Sequence, residues 1–279
     1  MTPETRELTI EPRWGLRASL VFWCGVALET LARRSFTRVL EGRRRGRCIT
    51  ASGLEAVPLA GGLVFSVNHY HAGLTLDVVS ATLLAAARVR LGVSDQCTVV
   101  VGQRAALTSP SRRRKFVRWL VQWFFERWGA NVLRIPVGVG PGGVAELRAW
   151  RRRAARAPML VFPEGVANRE LGGMRAGTGR WLRGLAVPVV PVGVWWGKTG
   201  WQVAFGAPIA WTARRELQDL QLGLAMAELL PTELAPSWID LLARWRAAHL
   251  EAAPRSVPHA QTTLDPPPPG PGACAAPPR

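Results

Sequence analysis

A chain of 279 residues, 48% hydrophobic, is long enough for one large α/β domain or two small ones with a sizeable core. Its formal charge of +17 points to an anionic partner such as membrane phospholipid, nucleic acid or a phosphorylated substrate, and arginine supplies nearly all of it, because Lys115 and Lys198 are the only lysines. The four cysteines, Cys24, Cys48, Cys97 and Cys274, form no CxxC pair and no Cys/His cluster, which argues against a zinc site and a disulfide framework and suits a reducing compartment.

Acidic residues precede the first apolar run, so no cleavable signal peptide is read at the N-terminus. That run, "ASLVFWCGVALETLA" at 18–32, contains Glu29 and falls short of the roughly 20 apolar residues of a membrane span. A helix lying in the membrane interface, or packed on the domain, is the expectation for it. The basic run "GRRRGR" at 42–47 follows, either a solvated face or a membrane-surface contact. Residues 1–50 are therefore read as an N-terminal helical, membrane-associating segment.

From residue 62 onward, short apolar runs alternate with longer helical periods. "LVFSV", "CTVVVG", "ANVLRIPV", "PMLVFP" and "VPVVPVGVWW" read as strands, each short and most of them rich in valine. Helices are expected over 76–87, 113–128, 143–155 and 175–185. This alternation predicts an α/β fold, with a mainly parallel twisted sheet flanked by helices and the N-terminal helical appendage in front. "WQVAFGAPIA" adds a late strand, and 213–229 and 236–251 read as helices. The domain is placed at 51–252. The tail at 253–279, with its "DPPPPGPG", is too rich in proline and glycine to bury a core and is read as disordered.

Parallel sheets place function at the carboxyl ends of their strands. Three unusual sequences fall at such ends: "SVNHYHAGLTLD" after the first core strand, "RIPVG" in the third and "FPEG" after the fourth. A histidine, an arginine and a glutamate on three strand ends form a layout for a base, an anion clamp and a polar anchor. The other two histidines, His249 and His259, fall on the last helix and in the tail, away from these clusters.

"VNH" after a strand, "GANVLRIPVG", "LVFPEGVANR" and "VPVVPVGV" stand in the order and approximate spacing of the four sequence blocks of the glycerolipid acyltransferases. The chain resembles this lysophosphatidic acid acyltransferase-like family over residues 62–208, as a divergent member. "FGAPI" also looks like the short strand and turn that follow the family's fourth block. The resemblance implies transfer of a fatty acyl group from acyl-CoA or acyl carrier protein to a hydroxyl of a lysophospholipid such as 1-acyl-glycerol-3-phosphate. It makes His69 the general base, a role that suits a neutral imidazole, and groups the neighbouring Asn68 with substrate binding. It makes Arg134 a phosphate clamp and assigns the acceptor headgroup to Glu164, Gly165 and the neighbouring Arg169. No metal or bound cofactor is implied. The implied partners are a membrane phospholipid surface, the lysophospholipid and the acyl donor, with no nucleic acid, and the implied location is the cytoplasmic face of the cell membrane, peripheral or monotopic.

The chain departs from the family at two places. The family carries an aspartate five residues after its histidine, where this chain has Leu74. Asp77 lies eight residues after His69 and six after His71. Either "HAG" is a loop expansion that lets Asp77 bond His69 Nδ1, or the base lacks a carboxylate. The family also follows FPEG with Thr, Arg, Ser, Arg, whereas Val166, Ala167, Asn168 and Arg169 stand here, so a headgroup hydroxyl and one arginine are missing. A non-catalytic, lipid-binding member of the same family is the alternative reading. Outside the blocks, "SRRRKFVRWLVQWFFERWG" at 111–129 interleaves cations with Trp and Phe, the composition of an interfacial amphipathic helix.

Overall fold

The computed structural model describes residues 48–71, 75–90, 92–93, 97–102, 133–135 and 141–252. The apolar run at 18–32, the arginine run at 42–47, the aromatic and basic segment at 111–129 and the tail at 253–279 lie outside the described residues. So do Leu74, His259 and the side chains of Arg134 and His249.

Seven strands form one sheet, in the order β1-β7-β6-β2-β5-β3-β4. They are β1 (Cys48–Ser52), β2 (Val64–Val67), β3 (Thr98–Gly102), β4 (Leu133–Ile135), β5 (Met159–Val161), β6 (Val189–Gly197) and β7 (Gly200–Phe205). The block β6-β2-β5-β3-β4 is parallel throughout. β7 runs antiparallel to β6, and β1 runs parallel to β7. All residues of β2 and β5 are buried, as are the first seven of β6. That burial explains why these strands read as unbroken apolar runs.

Five helices are described: α1 (Thr75–Ala86), α2 (Pro141–Arg156), α3 (Thr178–Gly184), α4 (Gln218–Ala227) and α5 (Ile239–Ala252). α1 packs on β6, β7 and β1. α4 packs between α3 and β6, and α5 packs on α4. The expected helix at 175–185 starts late because Gly177 holds a left-handed φ of 82°. The Asp219 carboxylate accepts from the amides of Gly177 at 2.7 Å and Gly179 at 2.6 Å, so α4 caps α3 from outside. Each of the last two expected helices is split into a 3₁₀ turn, Arg215–Leu217 or Pro236–Trp238, followed by α4 or α5.

β1 is absent from the sequence reading. In "CITAS" only Ile49 is buried, the mark of a half-exposed edge strand, so no apolar run announces it. Its start at Cys48 means that a domain boundary between residues 50 and 51 falls inside a strand of the sheet. β6 and β7 join through a hairpin closed by the Gly197–Gly200 pair. Gly200 has φ 134°, and a Cβ there would overlap the Cys48 carbonyl of β1. Cysteine spacing misleads in one place: Cys97 is a free, buried thiol, but Cys48 is disulfide-bonded. Spacing along the chain does not report pairing in space.

Candidate active site

β2 and β5 are neighbours in the parallel block, with Ser66 opposite Val161. Their carboxyl ends therefore deliver "NHYH" and "FPEG" side by side. The two loops extend the pairing beyond the sheet. Tyr70 and Asn168 form a parallel bridge, the Asn168 amide donates to His69 O at 3.1 Å, and the His71 amide donates to Asn168 O at 2.9 Å. His71 takes φ 55° in this ladder, a region that non-glycine residues seldom occupy.

Asn68 is buried, and its side chain faces β6 rather than a ligand. Its Nδ2 donates to Val194 O at 3.0 Å, and its Oδ1 accepts from the Val194 amide at 2.7 Å. The carboxamide thus imitates a backbone pair and clamps the end of β2 to β6. The resemblance grouped Asn68 with substrate binding, but both ends of its amide are taken by the strand next door.

Glu164 clamps the other side. Its Oε1 accepts from the His69 amide at 2.7 Å, its Oε2 from the Gly172 amide at 2.8 Å, and the Asn168 side chain adds a further bond. Burial raises its pKa above the ordinary glutamate value, and these donors offset part of that shift. The carboxylate ties the histidine loop to the loop at 164–172. Its acceptor sites are largely used, which leaves little of it for a headgroup.

Gly165 supplies a left-handed φ of 72° at the turn closed by its amide on Phe162 O. Val166 and Arg169 are exposed on the same loop. Arg134 lies on β4, the outer strand, with β5 and β3 between it and β2. Three inter-strand steps separate it from the histidine strand, about 14 Å at ~4.8 Å each.

The His69 ring is half-buried and stacks on Phe162, with ring centroids 4.3 Å apart and planes at 24°. Desolvation pushes its pKa down to about 4, so the imidazole is neutral at physiological pH. Its Nε2 lies 2.9 Å from Thr75 Oγ1. Its Nδ1 is buried and, among the described residues, has no hydrogen-bond partner. The expected bond from Nδ1 to Asp77 is therefore not made. Asp77 is buried in the first turn of α1, and the ring is oriented by a hydroxyl from the same helix instead.

Thr75 and Phe162 are thus members of the site that sequence reasoning passed over. Thr75 directly follows the position where the family's aspartate was sought, and Phe162 reads as the last apolar residue of a strand. Among the described residues, no group of three or more His, Cys, Asp or Glu side chains is placed to hold a metal ion.

No family model matches the chain. Nor does any curated protein match it. Among solved structures it is similar to the 1-acyl-sn-glycerophosphate (LPA) acyltransferase PlsC from Thermotoga maritima, with 14% identity, a TM-score of 0.44, and coverage of 75% of this chain and 87% of that chain. A likeness of that size carries no functional argument, so function rests on the sequence blocks and the geometry of the site.

Proposed function

We propose that the protein is an O-acyltransferase that moves a fatty acyl group from an acyl thioester to the hydroxyl of a lysophospholipid. One observation carries this reading. The two sequence blocks of the resemblance that bear a histidine and a glutamate meet at the carboxyl ends of adjacent parallel strands, and they hold a half-buried, neutral imidazole between them.

The chemistry follows from that imidazole. It takes the proton of the acceptor hydroxyl as the oxygen attacks the thioester carbonyl. The carbon–sulfur bond breaks, and the proton leaves with the thiol. Glu164 acts by positioning the histidine backbone. Arg169, exposed on the neighbouring loop, and Arg134 are the cations proposed for the acceptor phosphate. The co-substrate is acyl-CoA or acyl carrier protein, and no cofactor is required.

The charge of +17 supports a lipid surface as the working environment, reached peripherally from the cytoplasmic face. Among the described residues, no helix is long and apolar enough to cross a membrane. Val166, 62% exposed beside Glu164, puts an apolar contact on the rim of the site.

The test is acyl transfer by the purified protein, from acyl-CoA and from acyl carrier protein, to 1-acyl-glycerol-3-phosphate and to uncharged lysolipids. His69→Ala is expected to lower the rate by on the order of 10²–10⁴-fold while the protein stays folded. His71→Ala is expected to be milder. Transfer that survives His69→Ala, or that depends on His71 instead, overturns the assignment. The lack of a carboxylate bonded to the His69 ring, among the described residues, favours a second reading, a lipid-binding member without catalysis. Tight lysolipid binding with no transfer from either donor would establish it.

A further inference from the structure

The acyltransferase reading leaves open what orients His69 and which ring nitrogen takes the proton. The structure assigns the first task to Thr75 and the second to Nδ1. We infer that His69 donates its Nε2 proton to the Thr75 hydroxyl and presents the bare Nδ1 lone pair to the acceptor hydroxyl. This rests on the acyl-transfer reading and reverses the roles expected of the two nitrogens.

The two ring nitrogens are in different situations. Nε2 has a partner, Thr75 Oγ1, at 2.9 Å. Nδ1 is buried and has none among the described residues. A neutral imidazole carries one proton, so one nitrogen donates and the other accepts. If Nδ1 held the proton, the protein would bury an N–H group with nothing to receive it, and such orphaned donors are rare. With the proton on Nε2, the hydrogen bond to Thr75 is made and only a lone pair is left unpaired. The second arrangement is therefore favoured.

The ring is held in its plane as well as at its edge. Phe162 stacks on one face. The His69 amide is fixed by Glu164, and the carbonyl is fixed by the Asn168 amide. Backbone, ring face and Nε2 are all held, and Nδ1 alone is unsatisfied. An acceptor hydroxyl that reaches Nδ1 has to part the atoms covering it, and it then supplies the missing hydrogen bond.

A hydroxyl differs from a carboxylate in two respects that matter here. It donates as readily as it accepts, so the tautomer is set by the buried, unpartnered Nδ1 rather than by Thr75. It also carries no negative charge, so it does little to stabilise the imidazolium formed when the base takes its proton. The lowered pKa of His69 agrees with a ring that no bonded carboxylate supports. Thr75 is accordingly a positioning residue, acting through His69.

The experiment uses the full chain labelled with [15N]histidine, whose four histidines are separated by comparison with the His69→Ala protein. In the wild type, long-range 1H–15N correlations at neutral pH are expected to show His69 protonated at Nε2, with that proton protected from exchange with water. Thr75→Val removes the hydroxyl at nearly constant volume, and Thr75→Ser keeps it. Thr75→Val is expected to lose the protection and to lower kcat by up to about 10²-fold with little change in KM. Thr75→Ser is expected to retain both, which guards against a fold defect in the valine variant. A wild-type proton on Nδ1, or a Thr75→Val protein with unchanged exchange and kcat, overturns the inference. Absence of acyl transfer from a wild type with the expected, protected Nε2 proton overturns the acyltransferase reading and leaves the Thr75 assignment standing.

Discussion

The backbone amide of His69 donates to Glu164 Oε1 at 2.7 Å, across 95 residues of sequence. A residue expected to hold a headgroup therefore holds the backbone of the proposed base. Because the same carboxylate receives the Gly172 amide at 2.8 Å, it staples two loops whose relative position sets the site. Glu164→Gln keeps the shape but turns an NH2 group toward one of these amides. The variant is expected to lose about 1–3 kcal/mol of stability, read by urea denaturation, and to lose kcat with it. Unchanged stability with a raised KM for the lysolipid would instead make Glu164 a headgroup ligand.

Asn68 gives a prediction of the same kind. Asn68→Ala leaves the amide and carbonyl of Val194 without their side-chain partners in a buried position. A loss of about 1–3 kcal/mol is expected, again by urea denaturation. Asn68→Asp keeps the acceptor but loses the donor, and it buries a carboxylate against a carbonyl, so it is expected to be no better. A stable Asn68→Ala protein with weakened substrate binding would return Asn68 to the ligand-binding set.

The lowered pKa of His69 links activity and stability to pH. Its folded value lies near 4, against 6.5 for the free side chain. Between those values the unfolded chain binds more protons than the folded one, so stability is lost as pH falls from 6.5 toward 4. Replacing His69 by Gln is expected to flatten that part of the stability–pH curve. The acid limb of kcat/KM is expected near pH 4 rather than near 6.5, because the free enzyme keeps its base neutral down to there. An acid limb at 6.5 would show a solvated, ordinary imidazole.

Asp219 offers a control away from the histidine. Asp219→Ala removes the acceptor of the Gly177 and Gly179 amides at the start of α3. Its expected cost is about 0.5–2 kcal/mol, the range of a lost helix cap. Acyl transfer measured well below the melting temperature should be unchanged. A selective loss of activity would connect α3 to the site in a way that these bonds do not.

The sequence carried the parallel block well, because β2, β5 and β6 are buried along their length and must be written in apolar residues. It carried β1 poorly, since one buried residue in five leaves no pattern. At the site, a histidine-bearing loop at a strand end was legible from the pattern, while the choice of His69 over His71 came from the resemblance to the acyltransferase blocks. The functions of Asn68 and Glu164 were not, because their partners lie 126 and 95 residues away. Thr75 was passed over for a different reason. A template that seeks a carboxylate at position 74 has no use for a hydroxyl at position 75. The place of Arg134 in the sheet was also not legible: chain order puts its strand, β4, between β3 and β5, but spatial order puts it at the rim.

The clamp between Asn68 and Val194 also bears on when the site forms as the chain folds. β2 finds its partners only at β5 and β6, and Ser66 reaches further still, to the Met226 sulfur of α4, 160 residues on. Contacts of such separation form late, after the loop-closure entropy between them has been overcome. During synthesis the histidine loop therefore emerges early and waits, unpaired, for strands made well after it. A nascent chain that stops before β6 holds every residue of the "NHYH" loop and the "FPEG" turn, yet lacks the backbone against which Asn68 sets them. The candidate site is therefore among the last features that this chain assembles, and a nascent chain short of β6 is expected to lack it.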